Sequence, residues 1–171
     1  NDTAQYAVAQ SYNTVSAQVC KMLTPQVCYD YLTEKFHIST LVENGANTDI
    51  NYSSMAVGGM TRGVTTLEMA AAFATFGNGG VYYKPYCYTK VTNSDGSEVL
   101  LEYVEQKEQA ISEGTSVVMR KILETVVTSG TAYSYKISGF KSFAKTGTTS
   151  DNYDRWFVGG TPYYVAAVWY G

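Results

Sequence analysis

Two short polar motifs, far apart in the chain, contain the residue types that chemistry on a peptide requires. The first is Ser-Tyr-Asn at residues 11–13, where Ser11 supplies a hydroxyl and Asn13 an amide. The second is Lys-Thr-Gly-Thr at residues 145–148, which supplies an ammonium group beside hydroxyls. Either motif alone is short enough to occur by chance. Across a single cleft, however, Ser11 would relay a proton while Asn13 held a peptide bond, and such a site would support acyl transfer.

The second motif falls in a predicted β-strand, and strand geometry suits the binding of an extended peptide. Alternation places Lys145 and Gly147 on one face and Thr146 and Thr148 on the other, unless the strand twists or lies at an edge. Gly147 lets another group approach the backbone closely. An edge strand accepts a peptide as an added strand, and an ammonium beside hydroxyls binds a terminal carboxylate. The two motifs together therefore predict recognition of a peptide C-terminus.

The first half of the chain carries helical patterns that would position the first motif. Apolar spacing over residues 7–23 indicates a helical region that is interrupted at that motif. Pro25 ends this helix or begins the next one. Periodicity then fades over residues 43–63, which predicts a long irregular connection. Residues 65–68 (Thr-Thr-Leu-Glu) form a capping-box pattern at the start of an alanine-rich helix.

The second half of the chain changes from helical to β-rich patterns. Residues 86–91 and 99–104 flank a turn signal and predict a β-hairpin, and a helix is expected from about Glu113 to Thr128. Three short β-rich runs follow, at residues 140–148, 155–160 and 163–170. They predict an antiparallel meander whose last run reads as a central apolar strand. The fold class expected is α+β, with helices packed on an antiparallel sheet.

Composition excludes several functional classes. The 171 residues suffice for one compact domain or a piece of a larger one. A net charge of −3 argues against a nucleic-acid partner, and no stretch approaches the roughly 18 consecutive apolar residues of a membrane span.

His37 is the only histidine, so a zinc site lacks ligands. Cys20 and Cys28 are expected to be small core residues and not to form a disulfide. We therefore expect no metal and no cofactor.

The order of the two motifs matches part of a known set. The motifs S-x-x-K, S-x-N and K-T-G, in that order, characterise serine acyl-transfer enzymes among the β-lactamases and penicillin-binding proteins. This chain has the second motif at residues 11–13 and the third at residues 145–147. Their surroundings at residues 9–15, 72–85, 145–149 and 154–159 extend the match. The chain thus resembles the C-terminal part of the D,D-transpeptidase domain of class A, bifunctional penicillin-binding proteins.

The resemblance implies peptidoglycan cross-linking. An enzyme of this family cleaves the terminal D-Ala from a D-Ala-D-Ala stem peptide through a serine acyl-enzyme and passes the acyl group to an amine on a neighbouring stem. β-Lactams mimic the D-Ala-D-Ala end and trap the acyl-enzyme as covalent inhibitors. By position, Ser11 would relay a proton to the leaving group, Asn13 would hold the substrate amide, and Lys145 would set a positive field.

The same resemblance implies a substrate-binding role for residues 146–148. Thr146 and Thr148 would flank the substrate carboxylate, with Gly147 between them. The N–H of Thr148 would be one donor to the oxyanion hole, where losing one donor costs about 2.7–4 kcal/mol of transition-state stabilisation.

One part of the family pattern is missing. The nucleophilic serine belongs to S-x-x-K at the start of a helix, where residues i and i+3 share a face, and this motif should precede Ser11 by several tens of residues. Ser138 and Ser142 begin S-x-x-K strings, but both fall on the approach to the strand, where i and i+3 project to opposite faces. Residues 1–171 are therefore expected to be a partial transpeptidase domain that lacks the nucleophile and is inactive alone.

The resemblance also sets expectations for the whole protein. An upstream glycosyltransferase domain is expected as its partner in the full-length chain. The full-length protein is expected at the extracytoplasmic face of a bacterial plasma membrane, with any membrane anchor outside these residues.

Three other interpretations remain open. The chain could belong to a non-catalytic sensor or binding module that recognises penicillin or stem peptides. It could belong to a β-lactamase, although it offers no obvious base for rapid deacylation. As an isolated fragment it could also be an inert structural piece, with an unpaired sheet edge that favours pairing with another chain.

Overall fold

The computed structural model describes residues 3–171. Short helices and long connections form the first half of the chain. The helices are α1 (Ala4–Ala9), α2 (Asn13–Leu23), α3 (Pro25–Asp30), α4 (Tyr52–Val57) and α5 (Thr66–Ala74). Polar side chains begin several of them: Thr3, Asn51 and Thr65 each accept a hydrogen bond from a first-turn N–H. The predicted break at the first motif and the capping box before α5 are both confirmed.

The second half contains one long helix and seven short strands. Helix α6 (Glu113–Thr128) matches its predicted bounds, and the Ser112 side chain caps it. The strands are β1 (Val81–Tyr83), β2 (Lys90–Thr92), β3 (Val99–Glu102), β4 (Lys107–Gln109), β5 (Phe143–Thr148), β6 (Arg155–Gly160) and β7 (Val165–Tyr170). The predicted hairpin is present as β2 and β3, although β2 begins later than expected. Within residues 3–171, no helix is both long enough and apolar enough to cross a bilayer.

The strands form three antiparallel sheets instead of one. β5, β6 and β7 make the predicted meander, with β6 in the centre. β2 pairs with β3, and β1 pairs with β4, the strands that precede and follow this hairpin in the sequence. Within residues 3–171, β7 pairs with β6 alone, so the expectation that the last run is a central strand stays a prediction for the longer protein. The α+β class itself is confirmed.

The largest buried cluster fixes the start of β5. One face of α6 contributes Leu123, Val126 and Val127, and these pack against Phe143 and Ala144 of the strand. Phe143 is 3% exposed and Ala144 1%. Because these two residues directly precede Lys145, burial of apolar surface holds the root of the second motif against α6.

The region at residues 43–63 is more ordered than its sequence indicates. It contains α4, and its loops are organised by the Asp49 carboxylate, which is 0% exposed. Asp49 accepts hydrogen bonds from the N–H groups of Val42 (2.8 Å) and Thr61 (2.7 Å). The long connection expected here is present and contains one short helix, and a buried carboxylate replaces the missing apolar periodicity as the organising element.

Candidate active site

Ser11 and Lys145 meet across a cleft between the helical part of the chain and β5. The Nζ of Lys145 donates a hydrogen bond to Oγ of Ser11 over 2.7 Å, although the residues are 134 positions apart in sequence. The cleft has a volume of about 820 Å³. All the residues expected in the site line it: Ser11, Asn13, Lys145, Thr146, Gly147 and Thr148. The structure therefore brings both motifs into one site.

The helical wall of the cleft owes its shape to a tight turn between α1 and α2. Ser11 has φ 57°, a left-handed conformation that few non-glycine residues adopt and that is concentrated at functional sites. The turn is held by the N–H of Tyr12, which donates to the carbonyl of Ala7 over 2.9 Å. Asn13 is then the first residue of α2. The turn thus places a hydroxyl and an amide side by side at the mouth of the cleft.

The strand wall is an edge of the sheet. β5 pairs with β6 along one side, and its other side has no strand partner among residues 3–171. Gly147 lies opposite Trp156 in the ladder, and a Cβ at Gly147 would lie 3.3 Å from the Cβ of Trp156. The absence of a side chain at Gly147 therefore also relieves crowding within the sheet, a reason for glycine that the sequence did not reveal.

Strict alternation along β5 does not separate the residues of the second motif. Alternation is expected to separate Lys145 and Gly147 from Thr146 and Thr148 unless the strand lies at an edge; β5 lies at an edge among residues 3–171, and all four residues line the cleft. The reason is the open edge: the Lys145 side chain curls over it and also donates to the carbonyl of Thr146 over 2.8 Å. A long side chain at an edge strand can reach the groove whichever face it starts from.

The environment of Lys145 weakens its hold on its proton. Burial lowers the pKa of Lys145 below the usual 10.5, because removal from water disfavours the ammonium form. Both of its hydrogen-bond partners, the Ser11 hydroxyl and the Thr146 carbonyl, are neutral. A lysine of lowered pKa next to a hydroxyl gives up its proton more readily than an ordinary lysine, which suits it to proton exchange with that hydroxyl.

A third group in the cleft, the loop between β5 and β6, was missed in the sequence. Asp154 lines the cleft and connects the three strands of the meander. Its N–H donates to Oγ1 of Thr149 over 2.8 Å, and its Oδ1 accepts from the indole Nε1 of Trp169 over 2.8 Å. Short-range sequence patterns could not signal this contact, because Trp169 belongs to β7.

Three other residues considered as catalytic candidates lie outside the cleft lining. Ser138 and Ser142, which begin the S-x-x-K strings, are absent from its lining. His37 lies in a separate cavity of about 510 Å³, where its Nε2 contacts the Glu108 carboxylate. Within residues 3–171, no cluster of three or more His, Cys, Asp or Glu side chains could hold a metal ion.

Comparison with protein families decides what this cleft belongs to. The model of the penicillin-binding protein transpeptidase domain matches residues 1–170. The chain belongs to the penicillin-binding protein transpeptidase family. Penicillin-binding protein 4 of Bacillus subtilis is 35% identical over 170 residues, covering 99% of this chain and 26% of that protein. Penicillin-binding protein 1A of Aquifex aeolicus is 34% identical over 175 residues, covering 100% of the chain and 22% of that protein.

Solved structures of the penicillin-binding family share the fold. The D,D-transpeptidase domain of a peptidoglycan glycosyltransferase from Eggerthella lenta superposes with a TM-score of 0.78 at 24% identity, covering 98% of this chain and 48% of that one. Penicillin-binding protein A of M. tuberculosis, in an imipenem acyl-enzyme complex, gives a TM-score of 0.80 at 17% identity, with 98% and 42% covered. The chain therefore spans about a quarter of the two curated relatives and under half of these solved chains.

Proposed function

We propose that this chain forms two walls of a D,D-transpeptidase active site that cross-links peptidoglycan by serine acyl transfer on D-Ala-D-Ala stem peptides. The observation that carries the proposal is the 2.7 Å hydrogen bond from Lys145 to Ser11 inside one cleft. It joins the S-x-N turn and the K-T-G strand in the arrangement that acyl transfer needs. Membership of the transpeptidase family supports the same reaction.

Each wall has a defined part in the proposed reaction. The lysine of S-x-x-K takes the proton of the nucleophilic serine, the serine oxygen attacks the carbonyl carbon of the penultimate D-Ala, and the C–N bond to the terminal D-Ala breaks. Ser11 passes a proton to the departing nitrogen and regains one from the Lys145 ammonium, whose lowered pKa eases the transfer. Asn13 holds the substrate amide. An incoming amine then attacks the ester carbonyl and gives up a proton, which returns through Ser11 to Lys145, while the serine oxygen leaves and takes its proton back from the lysine of S-x-x-K.

The strand wall binds the substrate chain in this proposal. The open edge of β5 pairs with the extended stem peptide. Thr146 and Thr148 flank its terminal carboxylate, and the N–H of Thr148 donates to the oxyanion. Gly147 keeps the strand free of a side chain at the point of contact. β-Lactams occupy the same place and acylate the nucleophile.

The nucleophile itself is proposed to come from outside residues 1–171. The serines that line the cleft are Ser11, Ser16, Ser53 and Ser150. None of the four begins an S-x-x-K motif. Of these four, Ser11 contacts the cleft lysine, and its proposed task is proton relay. The serine and lysine of S-x-x-K would therefore be supplied by another segment of the protein that carries this chain.

The location and partners of that protein follow from its substrate. Peptidoglycan stem peptides are extracytoplasmic, so we propose that the cleft works at the outer face of a bacterial plasma membrane. A glycosyltransferase domain upstream and a membrane anchor outside residues 1–171 complete the proposed arrangement. Penicillin-binding proteins 1A among the relatives support this class A assignment.

Covalent labelling with a fluorescent penicillin tests the proposal in the protein that carries this chain together with its S-x-x-K segment. Lys145→Ala should lower the second-order acylation rate constant by about 10²–10³-fold, the usual effect of removing one pre-organised donor. Lys141→Ala is the matched control, because Lys141 is exposed and outside the cleft lining. Equal labelling of the two variants would contradict the proposal.

Two further measurements separate the alternatives. The 171-residue chain alone should remain unlabelled, and a covalent adduct on it would place the nucleophile within these residues. A protein that is labelled but does not join two stem peptides would instead be a penicillin-recognising sensor or binding module. Rapid loss of the label through hydrolysis would indicate a β-lactamase.

A further inference from the structure

We infer that Thr131 is a positioning residue that connects the two walls of the cleft and orients the hydroxyl of Thr146 toward the substrate carboxylate. Thr131 lies just after α6 and does not line the cleft itself. It contacts one wall through its backbone and the other through its side chain. The inference rests on the proposed function, because the carboxylate is that of the stem peptide or β-lactam.

The backbone contact fixes the helical wall. The N–H of Thr131 donates to the carbonyl of Ala9 over 3.0 Å, and Ala9 is two residues before Ser11. A Cβ at the preceding Gly130 would lie 2.3 Å from the same carbonyl oxygen, so only glycine allows this approach. The side-chain amide of Gln10 adds a hydrogen bond to the carbonyl of Ser129 over 3.2 Å. The turn that presents Ser11 is therefore attached to the end of α6.

The side-chain contact reaches the strand wall. Oγ1 of Thr131 lies 2.7 Å from Oγ1 of Thr146, and either hydroxyl could be the donor. A threonine hydroxyl has one proton to donate and lone pairs with which to accept. When Thr146 gives its proton to a carboxylate, Thr131 must therefore be the donor to Thr146. The result is a chain from Thr131 to Thr146 to carboxylate, in which each hydrogen bond polarises the next.

Residues before and after Thr131 are packed into the core, while Thr131 itself is exposed. Val126 and the neighbouring Ala132 are both 0% exposed. The N–H of Ala132 donates to the carbonyl of Val126 over 3.0 Å, which closes the end of α6 onto the core. Since Phe143 and Ala144 pack on the same cluster, Thr131 and the second motif share one support. A hydroxyl held in this way can specify the orientation of its neighbour.

The experiment compares acylation by benzylpenicillin with acylation by its neutral methyl ester, in the protein that carries this chain with its S-x-x-K segment. Thr131→Val keeps the shape and removes the hydroxyl, and Thr131→Ser keeps the hydroxyl. For benzylpenicillin, Thr131→Val should lower acylation efficiency about five- to tenfold, the range expected for one lost hydrogen bond. The loss should appear in the binding constant and leave the acylation rate at saturation unchanged.

The controls separate proton orientation from a general structural effect. The efficiency of acylation of Thr131→Ser by benzylpenicillin should remain within about twofold of wild type. Acylation by the methyl ester should be the same in wild type, Thr131→Val and Thr131→Ser, because the ester lacks the negative charge to which the hydroxyl chain donates. Thr131→Ala must reproduce the loss if Thr131→Val folds poorly, with melting temperatures measured for every variant. Equal losses with acid and ester would overturn the inference, and so would an unchanged Thr131→Val. A wild-type protein that penicillin does not acylate would instead overturn the proposed function.

Discussion

The indole Nε1 of Trp169 donates a hydrogen bond to Oδ1 of Asp154 over 2.8 Å, and this bond connects the end of β7 to the loop between β5 and β6. Asp154 also holds Thr149, directly after the second motif: its N–H donates to Oγ1 of Thr149, and its Oδ2 accepts from the same hydroxyl over 3.2 Å. One carboxylate therefore joins all three strands of the sheet at the end that borders the cleft.

A double-mutant cycle on Asp154 and Trp169 should detect this connection. Asp154→Ala and Trp169→Phe should each lower the free energy of unfolding, and their effects should be coupled by about 0.5–1.5 kcal/mol, the usual range for one hydrogen bond, because solvent screens the charge of this exposed pair. Asp154→Asn, which retains an acceptor for the indole, should lose less than Asp154→Ala. Urea unfolding measures all four proteins, and strictly additive effects would show that the bond does not contribute.

The buried Asp49 carboxylate should make the chain sensitive to acid. Burial favours the protonated form of Asp49, but the hydrogen bonds from Val42 and Thr61 outweigh it and hold its pKa below the usual 3.8. The unfolded chain therefore binds the proton more readily than the folded one. The stability from Asp49 is complete above the unfolded pKa and is lost as the pH falls through the lower folded pKa.

Asp49→Asn tests this relationship. An amide at this position turns an N–H donor toward Val42 or Thr61, so unfolding at pH 7 should become easier by about 2–3 kcal/mol. The difference from wild type should shrink as the pH falls through the folded pKa of Asp49. Asp151→Asn is the control, because Asp151 is exposed and asparagine tolerates its φ of 59°. A difference that does not change with pH would contradict the assignment.

The parts of the fold that could be predicted from sequence are those specified by short-range patterns. The bounds of α6 follow from Ser112 as cap and from helical apolar spacing, and the meander follows from alternating β-rich runs between short loops. The pairing of β1 with β4 was missed because the hairpin of β2 and β3 lies between them in the chain. Whether β7 is a central strand cannot be predicted from its apolar content alone, because apolar content does not distinguish an edge strand from a central one.

The candidate site shows the same division. Ser11, Asn13 and Lys145 stand out because their residue types form recognisable motifs. Thr131 belongs to none of the matching segments, and its contact with Thr146 is made only in the folded chain. Asp154 begins the matching segment 154–159, but nothing in that segment indicates its contact with Trp169 of β7. Which face of β5 meets the cleft could not be predicted either, since it depends on the open edge and on the path of one long side chain.

The three cysteines should differ in reactivity in the order of their exposure. Cys87 is exposed, Cys28 is half-buried and Cys20 is 3% exposed. Burial, together with the contact to Cys20 at 3.9 Å between the sulfur atoms, raises the pKa of the Cys28 thiol and reduces its thiolate fraction. N-Ethylmaleimide should therefore modify Cys87 first and Cys20 last, as followed by mass spectrometry. Cys87→Ser should remove the fast phase alone, whereas fast modification of Cys20 would contradict the packing of α2.

The lowered pKa of Lys145 should set the alkaline limit of acylation. Burial disfavours its charged form, so Lys145 loses its proton at a pH below 10.5, and with it the ability to donate to Ser11. The unfolded chain binds that proton more readily between the two pKa values, so the free energy of unfolding should rise with pH across the same interval.

In the protein with its S-x-x-K segment, acylation by penicillin should also decrease at alkaline pH, and this decrease should begin at a lower pH than the titration of an ordinary lysine. Lys145→Arg keeps its charge to about pH 12 or higher, so the alkaline decrease in acylation should shift to higher pH. The maximal rate should be lower, because the guanidinium is larger than the ammonium group. Lys141→Arg is the control and should leave the pH of this decrease unchanged. If the decrease occurs at the same pH in Lys145→Arg as in wild type, another group controls it.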